Sequence, residues 1–416
     1  MRSTIIISFF AILFLGACQQ PKQQFSDWRG PNRDGIYNET DLLKEWPESG
    51  PEMLWSFEGL GYGHSSVAAV NNKIFVTGVK DTLESMGTLF AFDANGELLY
   101  ERDYGKDFSL LYHGTRSTPV VSDDIIYIES GMGAVYALDA NSGEEIWSKD
   151  FQVDFDEDSV IQFGHSESVL LDGDRLICVA GGKEFNVVAL NRFTGELLWS
   201  CEGEGEIATY NSPILVDHNG QKLVIAMTSN SIMGIDADTG EKYWRVEQTQ
   251  GNKIHANTPV YVDGKILMVS AGREKTSGMV QLQLSDDGKS VEEMWRNNRY
   301  MNLMGGVVKV DSCFYGSSYL KNDWRVMSWK TGETLTQNKD FGGGAVIYAD
   351  NMFYCYAERD GEIALAKATP ESFEIVSKFE VPLGTKEHWA HPVINNGILY
   401  VRHGDALMAY DVSAKP

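Results

Sequence analysis

The sequence predicts an all-β fold, an eight-bladed β-propeller of four-stranded antiparallel blades, and three observations carry that expectation. The chain repeats itself at blade-sized intervals, and its apolar residues alternate with a period of two between turn dipeptides. Its last repeat also lacks a strand that the N-terminal region supplies, so the C-terminal blade is completed by an N-terminal strand.

The repeat is clearest in the segment from Thr118 to Ile128 and the one from Ala137 to Trp147. Aligned on equivalent first-strand positions, the units start at Val67, Pro119, Ser168, Pro213, Pro259, Val307, Val346 and Pro392. Successive spacings are 52, 49, 45, 46, 48, 39 and 46 residues, close to the ~40–50 of propeller repeats. A chain this long would otherwise suggest two or three domains. The repeat instead assigns residues 51–416 to one body.

Within each unit, period-two strands are separated by Asp-Gly, Asn-Asn, Asn-Gly or Thr-Gly turns, and helical periodicity is almost absent. A signature spans the third and fourth strands: Ala137, Asp139, Gly143 and Trp147, then Ala189, Asn191, Gly195 and Trp199, then Gly234, Asp236, Gly240 and Trp244. The Asp or Asn and the Gly make a tight turn, and the flat Trp can wedge between adjacent blades. Tyr100 replaces the Trp in the first unit, and the sixth and seventh units, around Gly332 and Pro370, lack it. The eighth unit stops after Ala409-Tyr410-Asp411, and its missing strand is found at Glu52–Phe57, with Trp55 in the signature position. Closing the ring removes sheet edges that would otherwise pair with other chains.

These motifs resemble the tryptophan-docking repeats of the PQQ-like propeller family, which includes quinoprotein alcohol dehydrogenases and BamB-like envelope lipoproteins. The resemblance covers nearly everything after residue 50. It implies a propeller, and it implies either a scaffold with an envelope protein partner or a dehydrogenase using PQQ with Ca2+. The stretch Asp27-Trp-Arg-Gly-Pro-Asn-Arg-Asp-Gly35 resembles the leader of many such envelope proteins and carries no chemistry assignable from sequence.

Residues 1–17 read as a lipoprotein signal peptide: Arg2, an apolar run from Ile5 to Leu15 too short to span a bilayer, then Leu15-Gly16-Ala17-Cys18. Cys18 resembles the acylated cysteine of a lipobox, and Gln19 after it favours the outer membrane by resemblance to the enteric sorting rule. Residues 18–50 are then a lipidated tether and leader, and the expected location is the cell envelope.

Losing Arg2 takes the formal net charge from −24 to −25. So acidic a surface repels phosphate backbones, so nucleic acid is excluded as a partner. Cys178, Cys201, Cys313 and Cys355 show no C-x-x-C spacing; three of them fall in apolar strand runs and read as small buried hydrophobes.

Links between blades and links from second to third strand should emerge on one face. His64, His113, His165, His255, His388 and His391 precede or begin innermost strands, His403 follows a second strand on that same face, and only His218 falls opposite. The same links hold Tyr112, Arg116, Glu167, Tyr210, Asn211, Asn257, Asn302 and Trp389. Imidazoles, amides and rings around a channel mouth suit a small polar, even anionic, organic ligand. The candidate ligand-binding residues are therefore His64, His113, Arg116, His165, Glu167, Tyr210, Asn211, His255, Asn257, His388, Trp389 and His391. No metal site is expected: His388 and His391 lack a helix to align them, and the Asp154, Asp156, Asp158 alternation lacks the glycine and bidentate Glu of a calcium loop.

Part of a quinone site could come from Arg116, Glu167, Asn211 and Asn257. The chain nonetheless departs from the quinoprotein dehydrogenases in length, in lacking adjacent cysteines and in lacking C-x-x-C-H. A non-catalytic binding or scaffold propeller is the first expectation, and a PQQ-dependent dehydrogenase the alternative.

Overall fold

The computed structural model describes residues 25–158 and 160–414. The signal peptide, Cys18 and Gln19 lie outside the described residues. Eight sheets form the ring, each a blade of four antiparallel strands; seven blades take all four from one repeat unit, and leader strands add a fifth to the second and seventh. The second blade is typical: Val120–Ser122, Ile125–Ser130, Ala134–Asp139 and Glu145–Asp150 run from the channel outward. One short helix, Phe151–Asp154, follows it. In the eighth blade, Val393–Asn395, Ile398–His403 and Ala406–Asp411 are joined at the outer edge by Glu52–Glu58, as the truncated last repeat predicts. The core is apolar side chains between neighbouring sheets, and the four described cysteines are buried there as free thiols.

The signature residues hold neighbouring blades together through one recurring contact. Trp147 Nε1 donates to Arg192 O at 2.9 Å, Trp199 Nε1 to Ala237 O at 3.1 Å, and Trp244 Nε1 to Gly288 O at 3.2 Å, each a turn carbonyl in the next blade. At the first two of these seams the indole lies over that turn's glycine. A Cβ at Gly195 would lie 2.9 Å from Trp147 and one at Gly240 2.8 Å from Trp199, and both glycines have left-handed φ, +73° and +78°. Glycine is thus required twice, by conformation and by the ring above it. Tyr100 keeps the contact without an indole, its hydroxyl donating to Ala140 O at 3.0 Å. Trp55 closes the ring in the same manner, donating to Ala94 O of the first blade at 3.1 Å.

The leader runs inside the ring. Phe25–Ser26 pairs antiparallel with the inner strand of the second blade, so the chain climbs the channel; Ile36–Tyr37 pairs parallel with the inner strand Gly344–Ala349 of the seventh, so it descends again. Residues 27–35 make the turn between them and plug the channel. Arg33 is the bolt: Nη1 donates to Ser168 O at 2.9 Å and Pro213 O at 2.8 Å, Nη2 donates to Val169 O, and the group pairs with Asp27 at 2.7 Å. Trp28 Nε1 donates to Thr258 Oγ1 at 2.9 Å, and Arg29 Nη2 to Val307 O at 2.9 Å. This one turn therefore touches the third, fourth, fifth and sixth blades. Arg29 and Arg33 both hold left-handed φ, 57° and 58°, a conformation costing ~1–2 kcal/mol for an L-residue, which these charge-assisted hydrogen bonds offset. The tether expected over residues 18–50 is accordingly not free from Phe25 onward. It packs in the channel, then against the last blade through Leu43 N to Val412 O and against the seventh through Trp46, buried on Tyr354 and Phe379.

Replacing Arg33 with Met would leave Asp27 buried without its partner, and removing one member of a buried pair costs ~3–5 kcal/mol. The urea midpoint of Arg33→Met should fall accordingly, and adding Asp27→Asn should recover part of the loss. An unchanged midpoint would show that the plug does not bear on stability.

Candidate functional site

Above the plug the channel mouth is a blind cavity of about 530 Å3. Its floor is Trp28 with His391, whose rings meet edge to face at 4.8 Å. Around the wall runs an arc of rings: His64 to Trp389 at 4.8 Å, Trp389 to Tyr112 at 5.0 Å, Tyr112 to Phe163 at 6.3 Å, and Phe163 to Tyr210 at 6.0 Å. Ser166, Ile254, Ala256, Leu303, Met304, Tyr319, Glu358, Arg359 and Glu387 also line the cavity. The wall residues come from links into inner strands and from second-to-third-strand hairpins, which share this face because each four-stranded meander returns its chain to it.

Arg116 holds the most exposed part of the wall. Its guanidinium stacks 4.7 Å from the Phe108 ring and donates to Gly114 O, Leu111 O and Tyr112 O, so it fixes the loop that presents Tyr112. Burial first, then the charges of Arg116 and Arg402, hold His64 well below the usual imidazole range. His391 is pushed down to about 3 by burial and then by Arg29. Both rings are neutral at pH 7, able to donate from one nitrogen and accept at the other.

Of the candidate residues, His64, Arg116, Tyr210, Trp389 and His391 line the cavity. The other seven are elsewhere. His113 is exposed beside Tyr62. His255 is buried with Nε2 facing Ser229 O at 3.3 Å, and its ring is pushed down to about 4 by burial. His388 stacks on His403 at 3.6 Å and bonds Tyr356 Oη at 2.6 Å. Asn211 is buried, and Asn257 ties the fifth blade to the sixth, donating to Val269 O and Asn302 O and accepting from Gly306 N. His165 lies between Glu129, 3.3 Å from Nδ1, and Glu157, 2.8 Å from Nε2, all three fully buried. Glu167 is buried nearby and accepts from Val179 N. Trp28, Arg29 and Arg33 go unassigned in the sequence reading, although a leader so dense in Trp, Arg and Gly was the signal.

Neither Glu167 nor Asn257 can serve as the calcium set of a quinone cofactor, because their polar atoms are committed to backbone groups away from the cavity. Among the described residues no cluster of His, Cys, Asp and Glu has a geometry suited to a metal ion. Of the residues expected for a quinone site, only Arg116 lines the cavity.

The ring of docked blades and its aromatic mouth define an eight-bladed propeller of the PQQ-like repeat class. A family model described as outer membrane protein assembly factor BamB matches residues 85–364, and the chain belongs to that family. A quinoprotein ethanol dehydrogenase of Pseudomonas aeruginosa is 28% identical over 156 residues, 35% of this chain and 25% of that protein. An outer membrane protein assembly factor BamB of Shewanella oneidensis is 30% identical over 131 residues, 31% of this chain and 32% of that protein. The chain thus spans a third or less of the length of these two relatives. The crystal structure of BamB from Moraxella catarrhalis has the same fold, with a TM-score of 0.61 at 13% identity over 88% of this chain and 98% of that one.

The His165 cluster sets a pH dependence. Burial alone would depress His165, but its bonds to Glu129 and Glu157 outweigh that and lift it from 6.5 to about 10. A raised folded-state value contributes stability that is complete below 6.5 and lost as pH rises through about 10. Glu129 and Glu167, held above the usual carboxylate range by burial, act in the same direction. The thermal midpoint should therefore fall between about pH 7 and pH 10, and His165→Gln should flatten that slope. A midpoint flat across this window in the parent chain would contradict the assignment.

Proposed function

We propose that the protein is a binding module of the bacterial cell envelope whose channel mouth takes a small, ring-shaped polar organic molecule. The observation that carries this is the arc of rings from His64 to Tyr210 around a cavity closed below by Trp28. Aromatic walls give a ring ligand stacking area at little entropic cost, and a blind pocket lets it shed water on most sides. The envelope location rests on the signal-peptide and Cys18 reading and on the printed name of the assembly-factor relatives. Scaffolding of an envelope protein partner, which that name invokes, would use the outer surfaces and leave the aromatic mouth without a role. Dehydrogenase relatives support a second reading, PQQ-dependent oxidation.

Ligand-observed NMR of the full chain with sugars, sugar acids and small aromatic alcohols and acids should yield binders whose signals vanish in Trp389→Ala. A folded chain with no binder in such a set would defeat the pocket reading. Calorimetric titration with PQQ plus Ca2+ should give no saturable heat; one-to-one binding would reverse the ranking.

A further inference from the structure

Three arginines surround the mouth without an ion-pair partner among the described residues. Arg29 and Arg402 are 3% and 2% exposed, and Arg116 lines the cavity. In a chain of formal charge −24 such cations would ordinarily find carboxylates. Here they are met by neutral acceptors instead. Arg402, from the second strand of the eighth blade, donates from Nε to Gly404 O at 2.9 Å. Its Nη1 donates to Thr77 O at 2.6 Å and Ser65 Oγ at 2.5 Å.

Its Nη2 has no acceptor, and neither has the buried hydroxyl of Thr115 a partner. Both groups crowd the Cα of Gly63, where a Cβ would collide with each. The next residue is His64, whose two ring nitrogens are also without a hydrogen bond of normal geometry. The His64 imidazole and the Arg116 guanidinium line the cavity, and buried behind His64 the Arg402 guanidinium and the Thr115 hydroxyl each keep an unused polar group. Buried polar groups in native proteins are nearly always satisfied. The two carboxylates that line the cavity, Glu358 and Glu387, come from the seventh blade's hairpin and the link into the eighth blade.

We propose that the wall formed by His64 and Arg116, with Arg402 buried behind it, is an oxyanion subsite, so that the ligand is a ring compound bearing a carboxylate. Its ring lies against Tyr112 and Trp389 and its acid group at His64, with Arg116 and Arg402 supplying the charge. The depressed titration of His64 supports this, because a neutral imidazole beside two cations donates to an anion without needing its own proton. Glu387 is the lining carboxylate that acts on Arg116, without an ion pair between them. This inference deepens the ring-ligand reading and rests on it.

Two measurements on the full chain test it, both at constant ionic strength. Iodide and caesium quenching of the Trp389 emission, taken as the parent minus Trp389→Phe, should favour iodide by at least about threefold despite the acidic surface. His64→Glu should invert that preference, and Arg402→Gln, if it folds, should abolish it. Caesium quenching as well as or better than iodide in the parent overturns the proposal. The second measurement compares matched pairs by NMR, glucuronate with glucose and benzoate with benzyl alcohol. The acid of at least one pair should bind about tenfold more tightly than its neutral partner. Neutral members binding as well as their acids would remove the subsite and leave the ring-ligand reading standing. No binding by any member, nor by any other ring compound of the wider set, would remove both.

Discussion

The mouth depends on one buried guanidinium. Eight inner strands meeting around an axis leave a lumen, and a lumen open at both ends cannot desolvate a ligand. Arg33 converts it into a pocket. By engaging carbonyls of the third and fourth blades and pairing with Asp27, it fixes the turn that sets Trp28 beneath the cavity and Arg29 beside Val307. The interaction is strong because each N–H meets an oxygen away from competing water, and it is geometrically demanding because a planar fork must satisfy three carbonyls at once. Lysine, a single point donor, could not make that pattern.

The ring around this bolt is held by a different principle, repetition of a weak contact. A single indole-to-carbonyl bond contributes ~0.5–1.5 kcal/mol, far less than a domain needs. Its value lies in recurrence at successive seams, where Trp, Tyr100 and the closing Trp55 each span to the next blade's turn. The seam between chain ends is thus made of the same parts as the others. Closure needs no covalent link.

Much of this architecture is legible in the sequence because it is local. The Asp, Gly and Trp of a signature lie within a dozen residues of one another, and the truncated eighth unit announces its missing strand. The face that carries the histidines is legible for the same reason, since link order determines face. Depth is not. His165, His255 and Asn257 start inner strands just as His64 and His391 do, yet they turn into the blade seams, and only packing between residues distant in sequence decides that. The leader is the extreme case. Arg33 bonds residues 135 to 180 positions away, and its acceptors are main-chain carbonyls, which any residue at those positions would offer. A partner with no side-chain identity leaves no mark in the sequence.

The histidines that look alike along the chain end in opposite electrostatic surroundings, and this bears on what the mouth can hold. His165 sits between carboxylates that draw a proton onto it, so its ring is cationic and already satisfied. His64 and His391 sit beside arginines in a low-dielectric wall and stay neutral. A neutral imidazole is the metal-binding form, but a cation approaching these two would meet the unscreened charges of Arg29, Arg116 and Arg402. The same charges attract an anion. The acidic exterior is then compatible with a basic recess, because charge buried behind an aromatic wall acts at contact distance, while surface carboxylates beyond a Debye length of ~8–10 Å are screened.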